Sequence, residues 1–258
     1  GYVRMDQSQY IQQLLEKAGF ADCNPRKTPC EARLLLLDMG DVVNEKAYRE
    51  KVGNLIFAMT CTRPDISWVV SKLSQYMHKP TQQHHNAVKH VLQYLKGTTD
   101  DALIFRKSDE PLKLSGYCDA DWASSADRKS TSGYCFRLNE ISSPISWRSH
   151  RQSIVALSSC EAEYVSLALA IQEALFLRQL FIDMWKTKMT NDPVVVHCDN
   201  QGSVALAKNP VFHKRSKHID VKYHFIRDVV NKNLVQLKYL HSGENIADVV
   251  IHCPFADF

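Results

Sequence analysis

The spacing of apolar residues changes character near residue 102, and this change constrains the fold more than any other feature of the chain. Before it, apolar residues recur at helical spacing in long stretches, at about 5–20, 47–60, 64–77 and 81–96. After it, short runs rich in β-branched and aromatic residues are separated by turn residues, and the first of them, at about 102–106, predicts a strand that closes the helical segment. The sequence therefore predicts a mainly helical segment over 1–106 and a second domain over 107–258.

The order of elements in the second domain predicts its architecture. Strands are expected at about 112–119, 133–138, 144–148, 194–198 and 234–241. Helices are expected at about 159–184, 201–208 and 219–231, and a last helix from about 244. Three successive strands followed by alternating helices and strands are typical of an α/β fold. We therefore expect a mixed five-stranded sheet with flanking helices.

Composition limits the class of protein. Hydrophobic residues make up 45% of the 258 residues and charged residues 23%, which is typical of a globular domain. The net charge of +4 is too small to indicate a nucleic-acid partner by itself. Eight cysteines form no C-x-x-C pair, so we expect a reduced, intracellular protein. No apolar run is expected to cross a membrane.

Several histidines raise the question of zinc. They are His197, His213, His218 and His224. No cysteine pair completes the spacing of a tetrahedral site around them, so no zinc is expected.

Four carboxylates stand in distinct local patterns in the second domain. Asp119 and Asp199 end apolar runs that predict strands, Glu163 lies near the start of the long helix, and Asp248 lies in the last helical stretch. Carboxylates at strand ends and on a facing helix can converge, and their hard oxygens suit Mg²⁺. Two such ions can activate a water and stabilise a leaving oxygen. The set therefore predicts a metal-dependent nuclease.

Two further carboxylates lie close to this set. Ser158 and Glu161 fit a capping box, which would occupy Glu161 at the helix N-terminus. Two helical steps turn the chain by about 200°, so Glu161 and Glu163 point to opposite sides and only one faces the strands. Asp121 can share a strand face with Asp119 and is expected at the rim of the site. The residues alone leave the choice between the two glutamates open.

Two basic stretches are candidates for contact with nucleic-acid phosphates. One lies in the turn between the first two strands of the second domain, and the other covers 213–218, before a helix. Their candidate binding residues are Arg128, Lys129, Lys214, Arg215, Lys217 and His218. The alternative for the second stretch is a solvated loop.

Long, ordered strings extend these local patterns over nearly the whole chain. In the second domain they are DADWASSADRKSTSGYCFRL, ISWRSHRQSIVALSSCEAEY, CDNQGSVALAKNP, HKRSKHIDVKYHFIRDVV and ENIAD. Together they resemble the ribonuclease H domain of Ty1/copia-type retrotransposon polyproteins. The first hundred residues resemble the end of the reverse transcriptase of the same polyproteins, in DQSQYIQQLLEKAGFADCNPRKTP, YREKVGNLIFAMTCTRPDISWVVSKLSQYM and HHNAVKHVLQYLKGT. No Y-x-D-D string occurs, so the polymerase active site is expected to be absent.

The resemblance implies a fold, an activity and a site. It implies an RNase H-like fold preceded by a thumb or connection segment, and cleavage of the RNA strand of RNA/DNA hybrids. The implied catalytic ligands of two Mg²⁺ ions, for which Mn²⁺ can substitute, are Asp119, Glu163, Asp199 and Asp248. Glu163 is preferred to Glu161 because the family's glutamate precedes an aromatic residue or leucine. His241 is the candidate for a loop histidine that helps product leave.

The resemblance also implies partners and leaves rivals. The expected partners are the hybrid and the remainder of the reverse transcriptase polyprotein, in a cytoplasmic virus-like particle. One rival is a catalytically decayed or host-adopted copy that binds nucleic acid or a protein without cleavage. A second is an integrase or transposase on the same fold.

The stretch after Asp248 departs from the family pattern. Residues 249–258 replace a threonine- and lysine-containing continuation, and Pro254 limits any helix to two or three turns. We therefore expect Asp248 to be the most mobile of the four ligands, and Asp248→Asn to reduce activity less than Asp119→Asn.

Overall fold

The computed structural model describes residues 1–31, 34, 36–37, 39–185, 192–208 and 217–253. The chain divides into two compact units. One is mainly helical and comprises 3–104 together with 249–253, and the other is an α/β unit of 1–2 and 105–248. The sequence placed residues 249–253 with the second domain, whereas the structure groups them with the helical unit.

The helical unit contains four α-helices and a small sheet. Its elements are β1 (Tyr2–Asp6), α1 (Ser8–Ala18), α2 (Glu45–Cys61), a 3-10 helix (Pro64–Ile66), α3 (Ser67–Ser74), α4 (Gln82–Gly97) and β2 (Ala102–Arg106). Strands β1 and β2 pair in a two-stranded sheet. The sequence predicted the helices and β2 but not β1, because all five residues of β1 are exposed and the predicted first helix already began at about residue 5.

Local hydrogen bonds explain where these helices begin and end. Gly19 ends α1 in the left-handed region at φ 74°, a conformation that favours glycine. The Asn44 side chain accepts the Ala47 N–H at 3.0 Å and so caps the start of α2. At the start of α4, the Thr81 N–H donates to Nδ1 of His84 at 2.9 Å.

A buried ion pair links the helices of this unit. Arg63 is 1% exposed, and its guanidinium donates twice to Asp65, at 3.0 and 2.6 Å. The same guanidinium donates to the carbonyl of Thr98 at 2.9 Å, and the Tyr94 hydroxyl donates to Asp65 at 2.8 Å. Because these bonds satisfy both charges, the pair fixes the turn after α2 against the end of α4 without leaving an unpaired buried charge.

The cysteines differ in part from the sequence expectation. Cys30 and Cys253 form a disulfide, so the expectation of free thiols is wrong for this pair. Both side chains lie in the core of the helical unit, with Cα atoms 6.1 Å apart, a separation that a disulfide can bridge. The six free cysteines of the described chain are Cys23, Cys61, Cys118, Cys135, Cys160 and Cys198.

The α/β unit is built on a five-stranded sheet. Its elements are β3 (Leu114–Asp121), β4 (Thr131–Leu138), β5 (Pro144–Arg151), α5 (Ser159–Trp185), β6 (Val194–Cys198), α6 (Gln201–Lys208), α7 (Lys217–Asn231), β7 (Val235–Tyr239) and 3-10 helices at Ser242–Glu244 and Ile246–Val250. The strand order is β5-β4-β3-β6-β7. Strands β3 to β5 pair antiparallel, while β6 is parallel to both β3 and β7. The predicted mixed five-stranded sheet with flanking helices is confirmed.

The prediction of a last α-helix from about residue 244 is wrong. Two short 3-10 helices replace an α-helix from residue 244. Val249 and Val250 are β-branched, which lowers their preference for an α-helix.

Helix α5 forms the centre of the α/β core. It packs against β3, β4 and β6, and its buried residues join those of the three strands in one cluster. Ser159–Met184 is also long and apolar enough to cross a membrane, contrary to the sequence expectation. Half of its most apolar 18-residue window is buried inside the fold, as in the core helix of a globular domain.

A glycine on β3 allows close packing with β4. Gly116 pairs with Phe136, and a Cβ at Gly116 would lie less than 3.0 Å from three atoms of that ring. Phe136 is fully buried, so its ring has little room to move aside. Gly53 of α2 is the opposite case, because it is exposed and nothing lies within 4 Å of an added Cβ.

We expect Gly116→Ala to lower the free energy of unfolding by roughly 1–3 kcal/mol through overpacking. Gly53→Ala should raise it by up to about 1 kcal/mol, since alanine is the better helix former. Urea unfolding of both variants measures the two effects. An unchanged midpoint for Gly116→Ala would mean that the Phe136 ring moves without cost.

Candidate active site

Two of the predicted carboxylates meet because β3 and β6 are parallel neighbours. Cys118 of β3 pairs with Cys198, the last residue of β6, so Asp119 within β3 and Asp199 just after β6 come next to each other at the carboxyl end of β6. Asp119 is buried and Asp199 is half-buried. The charge of Asp199 acts on the Asp119 carboxyl.

The structure separates the two glutamates at the start of α5. The Glu161 carboxylate accepts the Leu157 N–H at 2.9 Å, and the Glu161 N–H donates to Oγ of Ser158 at 3.2 Å. These bonds cap the helix and occupy Glu161, as the capping-box pattern predicts. Glu163 is on the opposite side, is 6% exposed and hydrogen-bonds the Asp119 side chain. Glu163, not Glu161, is therefore the glutamate that faces the strands.

Asp248 comes from the second 3-10 helix, which a buried asparagine ties to the sheet. The Asn245 side chain donates to the Cys118 carbonyl at 3.1 Å and accepts the Ala247 N–H at 3.2 Å. The Asp248 N–H donates to the Asn245 carbonyl at 3.1 Å. A carboxylate oxygen of Asp248 lies within 4.8 Å of one of Asp119. The anchor compensates for the shortness of this helix, and the sequence analysis missed Asn245.

A second residue that the sequence analysis missed fixes α5 on the sheet. Ser166 Oγ is fully buried and lies 2.6 Å from the Asp119 carbonyl and 3.1 Å from the Gly133 carbonyl. The Gln152 amide adds a bond to the Ala162 carbonyl at 2.9 Å. These contacts set the distance between the helix that carries Glu163 and the strand that carries Asp119.

Crowding of carboxylates changes their proton affinity. Burial raises the pKa of Asp119 to about 11, helped by a hydrogen bond to Asp248 and by the charges of Glu163, Asp199 and Asp248. Burial also raises the pKa of Glu163 to about 9, with contributions from Cys198 and Asp199. The cluster therefore carries protons at neutral pH in the absence of a cation.

The donor set fits a divalent cation. Oε2 of Glu163 is buried and has no hydrogen-bond partner among the residues that the structure describes. Ligand atoms of Glu163 and Asp199 lie within 4.8 Å of each other, as do those of Asp119 and Asp248. A buried, unpaired carboxylate oxygen costs free energy, and a hard cation with its waters would satisfy it.

The other candidate residues lie outside this cluster. Asp121 is half-buried, and Arg128 is exposed with φ 63° in the turn between β3 and β4, where Lys129 follows it. His241 is exposed, and its Nδ1 accepts the Gly243 N–H at 3.2 Å, which caps a 3-10 helix.

The second basic stretch is only partly described. Lys214 and Arg215 lie outside the described residues, and Lys217 and His218 are the first residues of α7.

The sheet order, the packing of α5 and the carboxylates at one sheet edge define the α/β unit as an RNase H-like domain. The fold of the whole chain is similar to a solved foamy viral protease-reverse transcriptase in complex with dsDNA, with a TM-score of 0.55 at 13% identity. That alignment covers 92% of this chain and 42% of the other. No family model matches the sequence.

Curated relatives identify the family. The chain is 38% identical over 255 residues to the retrovirus-related Pol polyprotein from transposon TNT 1-94 of Nicotiana tabacum, covering 95% of this chain and 19% of the relative. It is 39% identical over 251 residues to that from transposon RE2 of Arabidopsis thaliana, covering 96% and 17%. The chain belongs to the Pol polyproteins of copia-type retrotransposons and spans about a fifth of the length of these relatives.

The raised pKa of Asp119 leads to a stability prediction. A group whose pKa is higher in the folded state contributes stability below its unfolded value, here 3.8, and loses it as the pH rises towards about 11. We therefore expect the metal-free protein to lose stability between neutral and alkaline pH. Asp119→Asn should melt higher than wild type at mildly alkaline pH and depend less on pH. Asp121→Asn is the control, and thermal melts at several pH values measure the effect.

Mg²⁺ should reverse this order of melting temperatures, so that wild type melts higher than Asp119→Asn. A ligand that binds only the folded state stabilises it, so Mg²⁺ should raise the melting temperature of wild type much more than that of Asp119→Asn. If the variant melts lower than wild type at every pH without metal, the carboxylates do not repel one another as proposed.

The Asn245 anchor leads to a second prediction. Asn245→Ala should require roughly 10–100 times more Mg²⁺ to reach the same thermal stabilisation, the usual cost of losing a residue that orients a metal ligand. Gln236→Ala, an exposed change on β7, is the control. An unchanged Mg²⁺ dependence in Asn245→Ala would show that Asp248 holds its position without the anchor.

Proposed function

We propose that the chain is an RNase H-type endonuclease that cuts the RNA strand of an RNA/DNA hybrid. The observation that carries the proposal is the convergence of Asp119, Glu163, Asp199 and Asp248 from two strands, one helix and a 3-10 helix. The RNase H-like fold and the family of Pol polyproteins support nuclease activity at the general level.

The four carboxylates are proposed to hold two Mg²⁺ ions, for which Mn²⁺ can substitute. When bound, the ions supply an activated water and stabilise the leaving oxygen of the phosphodiester. Asp119 is the central ligand, because it contacts Glu163 and Asp248 and adjoins Asp199 at the sheet edge. Asp119 and Glu163 release their protons as the ions bind, so binding strengthens as the pH rises.

Residues around the carboxylates keep them in place. Ser166 holds the helix that carries Glu163 on the sheet, and Asn245 holds the turn that carries Asp248. Ligands held in this way need little rearrangement to receive cations, which is the condition for an accurate metal site.

Substrate recognition is proposed to rest on backbone contacts. A hybrid of A-like form is read by its shape, through phosphates and 2′-hydroxyls, with little sequence preference. The exposure of Arg128 at a turn that follows the strand of Asp119 supports such contact. Lys129, Lys214, Arg215, Lys217 and His218 are proposed to extend this basic surface. His241 is proposed to help product leave.

The proposed setting follows from the family. The fragment would act with the remainder of the reverse transcriptase polyprotein, inside a cytoplasmic particle. The proposal concerns hydrolysis only, since the Y-x-D-D string of a polymerase site does not occur in the sequence.

The main test is cleavage of a labelled RNA/DNA hybrid with Mg²⁺. Asp119→Asn and Asp199→Asn should each reduce cleavage to less than about one hundredth of wild type. Removing a metal ligand reduces activity at least as much as removing a residue that orients the ligand. Asp121→Asn, which leaves the cluster intact, should stay within a few-fold of wild type. Hybrid binding, measured by fluorescence anisotropy, should survive in all three variants.

Other outcomes would identify the rivals. Cleavage by Asp119→Asn equal to wild type would refute the site. Binding by wild type without cleavage would indicate a decayed or host-adopted copy, and cleavage of duplex DNA instead of the hybrid would indicate an integrase or transposase.

A further inference from the structure

Cys198 lies beside Glu163 and Asp199, and the proposed function leaves it unused. Its Sγ, a carboxylate oxygen of Glu163 and a carboxylate oxygen of Asp199 all lie within 4.8 Å of one another. The Cys198 side chain is fully buried, and it is a free thiol. Its Sγ donates to the Asn200 carbonyl over a long 3.9 Å and also hydrogen-bonds the neighbouring Cys118 thiol, so a cation at this sulfur would replace these weak contacts.

A second observation indicates that a ligand belongs at this position. Glu163 is 6% exposed, and its Oε2 has no hydrogen-bond partner in the described part of the chain. Such an atom in a buried site costs free energy until a proton donor or cation satisfies it. Cys198 and Asp199 complete a three-atom donor set with a carboxylate oxygen of Glu163.

The chemistry of the three donors distinguishes between cations. Mg²⁺ prefers oxygen ligands to sulfur, whereas Zn²⁺ and Cd²⁺ also bind thiolates well. Bonds of 2.0–2.2 Å to oxygen and 2.3 Å to sulfur place the ligand atoms of a tetrahedral zinc site roughly 3.5 Å apart. The three donor atoms lie within 4.8 Å of one another, so a contraction of at most about 1.3 Å would bring them into that range.

We propose that Cys198, Glu163 and Asp199 form a site for a thiophilic divalent cation, which blocks the nuclease by occupying carboxylates that Mg²⁺ needs. The Cys198 thiol gives its proton to solvent as the sulfur–metal bond forms. A water completes the fourth position. Binding itself does not depend on cleavage, while the inhibition rests on the proposed function. This inhibitory site uses no histidine and differs from the histidine site that the sequence analysis considered and did not expect.

Cadmium is the probe, because a cadmium–thiolate bond absorbs in the ultraviolet. Magnesium-free protein with its Cys30–Cys253 disulfide intact is titrated with Cd²⁺ in thiol-free buffer. Wild type should develop the charge-transfer band of one thiolate at one equivalent. Cys198→Ser and Cys198→Ala should lose that band, whereas Cys135→Ser, a change at a buried cysteine of β4, should keep it. Thermal melts of each variant verify that it is folded.

A variant of Glu163 tests whether a carboxylate binds Cd²⁺ together with the sulfur. Glu163→Gln should weaken the Cd²⁺ affinity about tenfold or more and keep the band at saturation, because the sulfur remains and one charged ligand is lost. A band of wild-type size in both folded Cys198 variants would overturn the proposal, as would an unchanged affinity in Glu163→Gln.

Cleavage assays separate the two proposals. With Mg²⁺ in excess, Cd²⁺ or Zn²⁺ should inhibit wild type, and Cys198→Ser should need at least about ten times more of either ion for the same fractional inhibition. If wild type forms the cadmium–thiolate band but never cuts the hybrid, the metal site stands and the proposed nuclease falls. If wild type cuts the hybrid and forms no band, the proposed nuclease stands and the metal site falls.

Discussion

The parallel pairing of β3 with β6 is the constraint on which the rest of the α/β unit depends. It turns a three-stranded antiparallel meander into a mixed sheet and sets Cys118 beside Cys198. Asp119 and Asp199 therefore lie next to each other where β6 ends. A slip of one residue would turn Asp199 to the opposite face of the sheet. Helix α5, which connects β5 to β6 across this pair, then needs only one buried glutamate in its first turns to complete three sides of the site.

Gathering four carboxylates works against folding, and the surrounding core offsets that cost. The stability comes from the apolar core of the unit. There the 27-residue helix α5 packs against three strands, and the close approach of Phe136 to Gly116 leaves no space in the sheet layer. The electrostatic strain is local, whereas the packing that supports it is spread over the unit.

The sequence predicted the features that depend on residues close together in the chain. Strands 102–106 and 194–198 and helix 201–208 were predicted to the residue, because each is an uninterrupted periodic run between turn residues. The separate roles of Glu161 and Glu163 followed from the capping box, from helix geometry and from the resemblance to the family.

Long-range contacts were not predictable in this way. The Asn245 bond to Cys118 spans 127 residues and the Ser166 bond to Asp119 spans 47, and no periodicity or spacing specifies either. The disulfide between Cys30 and Cys253 spans 223 residues and is equally invisible to local pattern. Strand β1 has no buried residue, so only its pairing with β2 defines it.

The placement of residues 249–253 in the helical unit has a consequence for biosynthesis. Val250, Ile251 and Cys253 are buried, and Cys253 belongs to the same core as helices α1 to α4. A ribosome makes those helices first, then the whole α/β unit, and only afterwards the segment that completes the helical core. Of the two units, the helical one is therefore begun first and completed last. A transcript truncated after codon 248 would keep all four carboxylates and leave the helical core incomplete.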